Sequence, residues 1–353
     1  MHPITKDLLS WYEVHHRVLP WRNTHDPYAI WVSEVMLQQT RVDTVIPYFN
    51  RFLRAFPNIQ ALAEAEEEAY LKYWEGLGYY SRVRNLVKGA RYVVERFNGV
   101  LPEDEDALLS VPGVGPYTAK AILSIAYGEP YIAVDGNLIR VYARVEQQAV
   151  IPNEEKTKKA CNAFLSIILE DADPGLFNQA LMDLGELVCI PNGAPLCHDC
   201  PLQGYCKAHQ EGKEQDYPLP KIKSQKKEEH RLVLLLIHQG KLILHKRPSS
   251  GLLAGMYELP NVVLDSPKGV KKAIQNLQIS CKNPVFLGKR THIFTHLKWH
   301  MQAYVAYVDE IPEGMIEASL TDIQHRYTIP NAFSPFIDDL NRECFNCSQF
   351  LFY

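Results

Sequence analysis

Residues 109–119, LSVPGVGPYTA, decide the fold of this 353-residue chain. A short helix ends before Val111, V-P-G-V-G is a tight turn, and Pro116 suits the start of a new helix because its missing N–H has no helical partner there. Gly113 and Gly115 let the backbone approach a ligand, and the amides of a helix start favour a phosphate. The segment predicts two helices joined by a phosphate-holding turn; the alternative is an ordinary helix–helix turn with glycine caps.

The sequence around this turn is helical up to about residue 212. Asp26 and Pro27 start one helix as its cap and first residue, and we find no convincing strand in this part. The other predicted helices cover roughly 41–55, 67–74, 81–97, 105–110, 116–127, 136–146, 154–170 and 174–188. Residues 1–215 are therefore predicted to form a mainly α-helical domain, with the two-helix motif near 109–127.

The composition changes near residue 216. Residues 216–230, DYPLPKIKSQKKEEH, contain two prolines and a charge run without an apolar period, which is typical of a linker. Beyond it, apolar runs at 232–237 and 242–245 flank a hairpin signal at residues 238–241. Further β-rich runs lie at 285–288, 291–295 and 299–308, with a helix near 267–278. Residues 231–353 are therefore predicted to form a separate α/β or α+β module.

Composition and charge limit the class of protein. A hydrophobic content of 46% and a charged content of 22% are typical of a soluble globular protein. No stretch approaches the length of a membrane span, and the amino terminus has no apolar signal core. We therefore expect a cytoplasmic protein without a membrane partner. Residues 1–215 carry a net charge of −8 and residues 216–353 one of +4; a nucleic-acid binder is usually basic, so any such contact would have to use a local patch or backbone amides.

Four of the eight cysteines are crowded into eighteen residues with the spacing C-x7-C-x2-C-x5-C. They are Cys189, Cys197, Cys200 and Cys206. The loop that they span is too poor in apolar residues to pack by itself, so the spacing predicts a metal or iron–sulfur site. A zinc ion held by four thiolates is the alternative. Cys344 and Cys347 form another C-x2-C without a second pair, and we interpret them as incidental.

Two carboxylates precede or lie within predicted helices. Asp135 precedes an apolar helix, where its ordinary role is an N-cap. Glu34 shares a helix face with Ile30 and Leu37, and desolvation there would raise its pKa, as a general acid near neutral pH requires. From periodicity alone, the better interpretation of Glu34 is a residue at the rim of an amphipathic helix, without a catalytic role.

Together these motifs resemble the endonuclease III superfamily of helix-hairpin-helix base-excision DNA glycosylases. The LSVPGVGPYTA segment is similar to its hairpin, and the superfamily places a [4Fe–4S] cluster on four cysteines just after its catalytic helices. The family spacing is C-x6-C-x2-C-x5-C, so this chain has one extra residue after Cys189. The resemblance implies a [4Fe–4S] cluster in the loop 189–206 and, within V-D-x-N-x-x-R, a catalytic role for Asp135. Lyase-type members carry a nucleophilic lysine where this chain has Tyr117, and a phenol cannot form a Schiff base. Lys120 is a poor substitute.

Three further segments, LPWR at 19–22, SEVMLQQT at 33–40 and GLGYYSRxRNL at 76–86, resemble adenine DNA glycosylases of the MutY type. This resemblance implies that Glu34 protonates adenine and that Asp135 stabilises the oxocarbenium ion. The supporting catalytic groups would be Tyr117 and Asn137, and the adenine pocket would contain Arg22, Leu37 and Gln179. The residues that would enter the duplex or contact the DNA are Gln39, Thr40, Leu77, Tyr79, Gly113 and Gly115. Core packing is the alternative for Leu77 and Tyr79.

Residues 231–353 resemble the Nudix-like domain that follows the catalytic domain in MutY proteins. A Nudix hydrolase holds Mg²⁺ with an R-E-x-x-E-E helix, whereas the corresponding residues 267–277, PKGVKKAIQNL, contain lysines and no glutamate. Pyrophosphohydrolase activity is therefore not expected. The resemblance implies that this domain recognises 8-oxoguanine with a Phe-Ser-His turn, which is Phe294, Thr295 and His296 here; the threonine adds a methyl group.

These resemblances imply a monomeric, monofunctional glycosylase of bacterial type, associated with DNA in the cytoplasm. It would flip adenine out of an A:8-oxoguanine or A:G mispair in double-stranded DNA and hydrolyse its N-glycosidic bond. The alternatives are a bifunctional endonuclease III-like glycosylase/lyase, a nucleotide pyrophosphohydrolase that acts through the carboxyl-terminal module, and a catalytically silent binder of damaged DNA.

Overall fold

The structure is a computed structural model that describes residues 1–220, 225–264, 273–274 and 279–346. The chain folds into two compact units. The first comprises Met1–Ala65 and Ser81–Ile222, and the second comprises Glu66–Tyr80 and Lys223–Tyr353. The chain therefore passes into the second unit twice, and the first of these passages has no counterpart in the sequence prediction.

Helices account for most of the first unit. In chain order, the helices of the described residues are α1 Pro3–His15, α2 Pro27–Leu37, α3 Val42–Ala55, α4 Ile59–Ala63, α5 Glu67–Trp74, α6 Ser81–Phe97, α7 Glu105–Ser110, α8 Pro116–Ala126, α9 Gly136–Val145, α10 Glu155–Leu169, α11 Pro174–Leu187, α12 Lys207–Gln210, α13 Leu320–His325 and α14 Ser334–Asn346. Aspartate side chains cap four of them, namely α2, α7, α9 and α11. Each such cap stabilises a helix start by about 1 kcal/mol.

The predicted mainly α-helical character of this unit is confirmed, but α1 and α4 were not among the predicted helices. α1 has no strong start signal, because the ring of His2 accepts the hydrogen bond from the Ile4 amide in place of a usual capping residue. The structure buries one apolar face of α1, which includes Leu8 and Tyr12. α4 has only five residues, too few for a helical period to be detected.

A mixed sheet forms the second unit. Its strands are β1 Lys227–His238, β2 Lys241–Lys246, β3 Tyr257–Glu258, β4 Asn261–Val263, β5 Lys282–Ile293, β6 Leu297–Tyr307 and β7 Met315–Ala318. The order is β3-β2-β1-β6-β5, with β4 paired to β1 and β7 paired to β2. Only the β1–β6 pair is parallel among these described pairings. The predicted hairpin at 238–241 is present, with His238 opposite Lys241.

The strand boundaries correct two sequence predictions. β1 begins at Lys227, inside the segment predicted as a linker, because its first residues pair with β6. The predicted runs at 285–288 and 291–295 form one strand, β5, whose irregular pairing near Phe286 and Gly288 interrupts its alternation. The helix predicted near 267–278 lies almost wholly outside the described residues, as do the neighbouring lysines of the degenerate Nudix segment.

Apolar residues cover both faces of the sheet. On β1, Leu232, Leu234 and Leu236 belong to one core, whereas Val233 and Leu235 belong to the other. A strand buried on both faces has a continuous apolar sequence, as the LVLLLI run here does. α13 and α14 pack on the Val233 face. Within the part of the chain that the structure describes, none of the helices combines the length and apolar character that crossing a membrane requires.

The packing of the first unit places several predicted site residues on neighbouring helices. α8 packs against α2 and α11, and α11 also packs against α9. The turn between α7 and α8 is the predicted hairpin. The starts of α8 and α9 and the middle of α2 and α11 therefore lie close enough to share a site.

Candidate active site

A cleft of about 440 Å³ in the first unit brings together nine of the predicted site residues. Its lining comes from the segment 17–22, α2 and the residues that follow it, the starts of α8 and α9, and α11. The predicted residues that line it are Arg22, Glu34, Leu37, Gln39, Thr40, Tyr117, Asp135, Asn137 and Gln179. All four proposed catalytic side chains thus face one space.

Glu34 is a buried carboxyl group in this cleft. It is 5% exposed, and the hydroxyl of Tyr117 donates a hydrogen bond of 2.7 Å to its Oε2. Burial, together with the charge of Asp135, raises the pKa of Glu34 to about 7, although the hydrogen bond from Tyr117 and the charge of Arg22 oppose the rise. The interpretation of Glu34 as a rim residue is wrong, because α2 is buried on all sides from Tyr28 to Met36.

Asp135 is the N-cap of α9, and both of its oxygens are held. Oδ1 accepts from the Leu138 amide at 2.8 Å, and Oδ2 accepts from Asn137 Nδ2 at 2.9 Å. Burial raises the pKa of Asp135, while these hydrogen bonds and the charge of Arg140 oppose the rise. The capping and site positions coincide, so the carboxylate has one fixed orientation.

The predicted adenine-binding residues rest on a charged network that the sequence did not reveal. The hydroxyl of Tyr12 donates to Gln179 Oε1 at 3.0 Å. The fully buried Asp183 accepts from Arg22 Nη2 at 2.9 Å and from Arg17 Nε at 2.7 Å. Although burial opposes ionisation, these two arginines hold the pKa of Asp183 below its usual range. Its one sequence signal is its place on α11, a single turn after Gln179.

Arg82 fixes the turn that carries Gln39 and Thr40. Its buried guanidinium donates to the Val35 carbonyl at 2.8 Å, to the Met36 carbonyl at 2.9 Å and to Thr40 Oγ1 at 3.2 Å. These carbonyls end α2, where a cation is favourable. Gln39 has a left-handed backbone, with φ of 58°, a conformation that persists where neighbours enforce it. The sequence motif contained Arg82 without indicating this role.

The α7–α8 turn is shaped by close packing at one of its two glycines. Gly113 has φ of 84°, and a Cβ there would lie 2.8 Å from the Cβ of Asn85, so only glycine fits. Gly115 is the N-cap of α8, with φ of −98° and open space around it. The first amides of a helix have no intrahelical acceptor. Pro116 has no N–H, so the first amides of α8 are those of Tyr117, which lines the cleft, and Thr118.

Lys120 does not contribute to the cleft. Its Nζ lies 3.9 Å from Glu105 Oε1, and it is not among the residues that line the cavity. Tyr117 occupies the position beside Glu34 instead. Among the residues that the structure describes, no lysine lines this cleft.

The predicted lesion-reading residues of the second unit differ in exposure. Tyr79 is 44% exposed, and its hydroxyl lies 3.1 Å from Thr295 Oγ1. Thr295 and His296 are exposed, while the ring of Phe294 packs edge-on against Trp299 with centroids 4.7 Å apart. Leu77 is only 6% exposed, which fits the packing alternative for that residue in this conformation.

The four clustered cysteines line a small apolar cavity at the end of α11. They share it with Val141, Leu184 and Leu202. Burial, with the charges of the neighbouring thiolates, raises the pKa of Cys200 to about 12. Thiols in such a site give up their protons to a bound cation. Cys197 also lies within 4.8 Å of ligand atoms of His209 and Glu214, so the donor set is rich in metal-binding groups, and its four sulfurs fit an iron–sulfur cluster.

Arg140 connects this cysteine loop to Asp135. Its Nε donates to the Cys189 carbonyl at 2.7 Å, and its Nη2 donates at 2.7 Å to Asn137 Oδ1, whose amide holds Asp135. One turn later on α9, Arg144 Nη1 lies 3.1 Å from the sulfur of Cys189. A displacement of the Cys189 loop would therefore reach the Asp135–Asn137 pair through one guanidinium.

The site combines a buried glutamic acid with a pKa near 7, an N-cap aspartate and a helix-hairpin-helix turn. This combination fits a DNA glycosylase. The family model of the HhH-GPD superfamily base excision DNA repair proteins matches residues 32–166, and that of the NUDIX domain matches residues 232–339. A solved thermostable thymine-DNA glycosylase is 26% identical with a TM-score of 0.54, over 59% of this chain and 95% of that one.

Relatives that match most of this chain show which family of DNA glycosylases it belongs to. The adenine DNA glycosylase of Mus musculus is 36% identical over 87% of this chain and 71% of its own. That of Buchnera aphidicola subsp. Baizongia pistaciae is 32% identical over 86% of each chain. The chain belongs to the adenine DNA glycosylase family, a family of base-excision repair enzymes that hydrolyse N-glycosyl bonds in DNA.

Proposed function

We propose that this protein removes adenine paired with 8-oxoguanine or guanine in double-stranded DNA, as a monomeric and monofunctional hydrolase. The observation that carries the proposal is the buried Glu34, with its pKa near 7, bonded to the phenol of Tyr117. A lyase needs an amine nucleophile at this place. Here the neighbour of Glu34 is a phenol, which donates a hydrogen bond to the carboxyl group and cannot form a Schiff base.

Adenine must leave the base stack to reach this cleft, because its ring nitrogens are inaccessible inside a duplex. Leu37 supplies an apolar wall, and Gln179 and Arg22 supply an amide and a guanidinium. Because Tyr12 and Asp183 hold these two polar groups, their orientation is set before adenine arrives. Such preorganisation favours one ring orientation of the flipped base.

Glu34 then donates its proton to a ring nitrogen of adenine. The bond between N9 and C1′ breaks, its electron pair stays with the base, and the sugar becomes an oxocarbenium ion that the carboxylate of Asp135 stabilises. Water adds to C1′ and loses a proton. The products are free adenine and an abasic site, and no covalent bond to the protein is formed.

The four clustered cysteines hold a [4Fe–4S] cluster in this proposal. Their number, their sulfur donors and their shared cavity support it. The cluster cross-links the loop 189–206, and the hydrolysis transfers no electrons. Purified protein should contain about four irons and four inorganic sulfides per chain; one zinc per chain and no iron would contradict this part of the proposal.

In this proposal, polar and aromatic side chains read the base opposite adenine. Gln39 and Thr40 supply polar groups beside the cleft, and Tyr79 and Thr295 supply a ring and a hydroxyl pair. A planar ring and a planar amide are suited to the gap that an extruded base leaves. The turn between α7 and α8 holds the DNA backbone with the first amides of α8.

The test is adenine release under single-turnover conditions from duplexes with adenine opposite 8-oxoguanine, guanine or thymine. We expect release from the first two and none from the third. Borohydride should trap no covalent complex with abasic DNA. A trapped complex would favour the glycosylase/lyase, and a protein that binds the duplex without releasing adenine would be a silent binder.

A further inference from the structure

The segment Glu66–Tyr80 belongs to the second unit, although the chain on both sides of it belongs to the first. It contains α5 and the loop that ends in Tyr79. α5 meets the sheet at its start, where the hydroxyl of Tyr257 on β3 lies 3.2 Å from Glu68 Oε1. The loop that carries a proposed lesion-reading residue is therefore seated on the Nudix-like fold.

Lys72 fastens the end of α5 to the region around α13. Its ammonium donates to the Ile323 carbonyl at 2.9 Å, to the Tyr327 carbonyl at 3.1 Å and to Glu75 Oε2 at 2.5 Å. An ammonium group has three donors, so each has an acceptor. Ile323 lies in the last turn of α13, where carbonyls lack helical partners and a cation is favourable.

Glu75 completes this connection from the other side. Its Oε1 accepts from the Ile329 amide at 2.7 Å, while its Oε2 accepts from Lys72. Ile329 is buried, and a buried amide without an acceptor is unfavourable. Lys72 and Glu75 thus form a two-residue clamp between α5 and residues 323–329, which we call the α5 clamp.

The loop after the α5 clamp has little freedom. The indole N–H of Trp74 donates to the Gly78 carbonyl at 3.1 Å, and the Gly76 amide lies 3.3 Å from the hydroxyl of Tyr80. Tyr79 has a left-handed backbone, with φ of 48°. A tyrosine keeps this conformation only where its surroundings enforce it. The clamp and the loop therefore deliver the Tyr79 hydroxyl to Thr295 Oγ1, 3.1 Å away.

We propose that Lys72 and Glu75 are positioning residues for discrimination of the base opposite adenine. They hold the Tyr79 loop in register with the Thr295 turn, so that one ring and one hydroxyl meet that base in a fixed geometry. The inference rests on the proposed function, in which Tyr79 and Thr295 contact 8-oxoguanine. Neither clamp residue belongs to the catalytic cleft, so the chemical step itself does not depend on them.

The experiment compares single-turnover adenine release from A:8-oxoguanine and A:G duplexes at saturating enzyme, and the affinity for each duplex. Lys72→Met should lower the preference for 8-oxoguanine about tenfold, the effect of losing hydrogen bonds from one charged group, with the rate on A:G unchanged. Glu75→Gln should act in the same direction, and Lys72→Arg should restore much of the preference. Lys158→Met is the matched control, because Lys158 forms an exposed pair with Glu155 at 3.5 Å on α10.

A background variant separates positioning from a general loss of structure. If the α5 clamp acts through Tyr79, adding Lys72→Met to Tyr79→Ala should change the preference no further. The inference is overturned if Lys72→Met and Glu75→Gln keep the native preference, if both duplexes are affected equally, or if the loss adds to that of Tyr79→Ala. Should Lys72→Met fail to fold, Glu75→Gln, which keeps the shape of the side chain, decides the question. A native protein without any preference would overturn the proposed function first, and this inference with it.

Discussion

The hydroxyl of Tyr117 and the carboxyl of Glu34 form a hydrogen bond of 2.7 Å in a buried part of the cleft. Tyr117 lies in the first turn of α8, directly after the glycine turn, so the element proposed to hold the DNA backbone also holds the proposed proton donor. Burial and this hydrogen bond have opposite effects on the pKa of Glu34. Burial favours the neutral carboxylic acid, and the phenol stabilises the carboxylate.

Tyr117→Phe should therefore raise the pKa of Glu34 above its native value of about 7. A general acid must be protonated, so the rate falls as the pH rises through that pKa, and the variant should show this fall at a higher pH. The measurement is the single-turnover rate of adenine release across pH. Tyr127→Phe, which removes a hydroxyl bonded to the Leu101 carbonyl at 2.7 Å, should leave the profile in place. A fall displaced to lower pH would contradict the assignment.

Glu34→Gln should stabilise the protein above pH 7 while it destroys activity. The pKa of Glu34 is about 7 in the folded protein, and its ordinary value is 4.5. The free energy of unfolding of the native protein should therefore fall by about 3 kcal/mol as the pH rises from 4.5 to 7. The neutral glutamine escapes this loss, and its advantage should disappear as the pH falls towards 4.5. Urea unfolding at several pH values measures it, with the exposed Glu95→Gln as the control. An equal stability difference at all pH values would show that Glu34 is already ionised or hydrated.

Arg140→Gln should weaken both the cysteine loop and catalysis. The substitution removes the bridge between the Cys189 carbonyl and Asn137 Oδ1, and loss of such charged hydrogen bonds is worth about 1.5–3 kcal/mol. Iron content per chain and the single-turnover rate should fall together. Arg96→Gln, at an exposed site, should change neither. Normal iron content with normal activity would show that the hydrogen bonds of Arg140 support neither the cysteine loop nor catalysis.

Asp183→Asn should destabilise the protein and release Arg22 from its fixed orientation in the proposed adenine pocket. It leaves Arg17 and Arg22 without their shared carboxylate, and breaking a buried pair costs about 3–5 kcal/mol. Because the pKa of Asp183 is held below its usual range, its stabilising contribution is complete above the unfolded value and is lost as the pH falls through the folded one. Native and variant stabilities should therefore converge in acid. Glu186→Gln, which alters an exposed partner of Arg17, should have a smaller effect; equal effects would contradict the network.

The sequence predicted the parts of the site that motifs record. Tyr117, Asp135 and Asn137 lie at the starts of α8 and α9, whose local structure a glycine turn and an N-cap specify strongly. Glu34 lies further along α2, and its motif rather than a helix end indicated its place in the cleft. Periodicity failed for Glu34, since a helix buried on all sides has no rim. It also gave no sign of Lys72, whose two carbonyl partners lie more than 250 residues away in the chain.

Contacts between residues so far apart in the sequence depend on the tertiary structure, which local helix and strand propensities do not encode. The same reason explains why Asp183 was missed, although Gln179, one turn earlier, was predicted. β1 began earlier than expected because its charged first residues gain their order from pairing with β6, and composition alone is typical of a linker there.

The most direct test of the central claim is the single-turnover release of adenine from an A:8-oxoguanine duplex by the native protein and by Glu34→Gln. The account predicts rapid release by the native protein, a loss of about 10²- to 10⁴-fold in the variant, and unchanged affinity for the duplex. Adenine release by Glu34→Gln at the native rate would contradict the assignment of Glu34 as the proton donor.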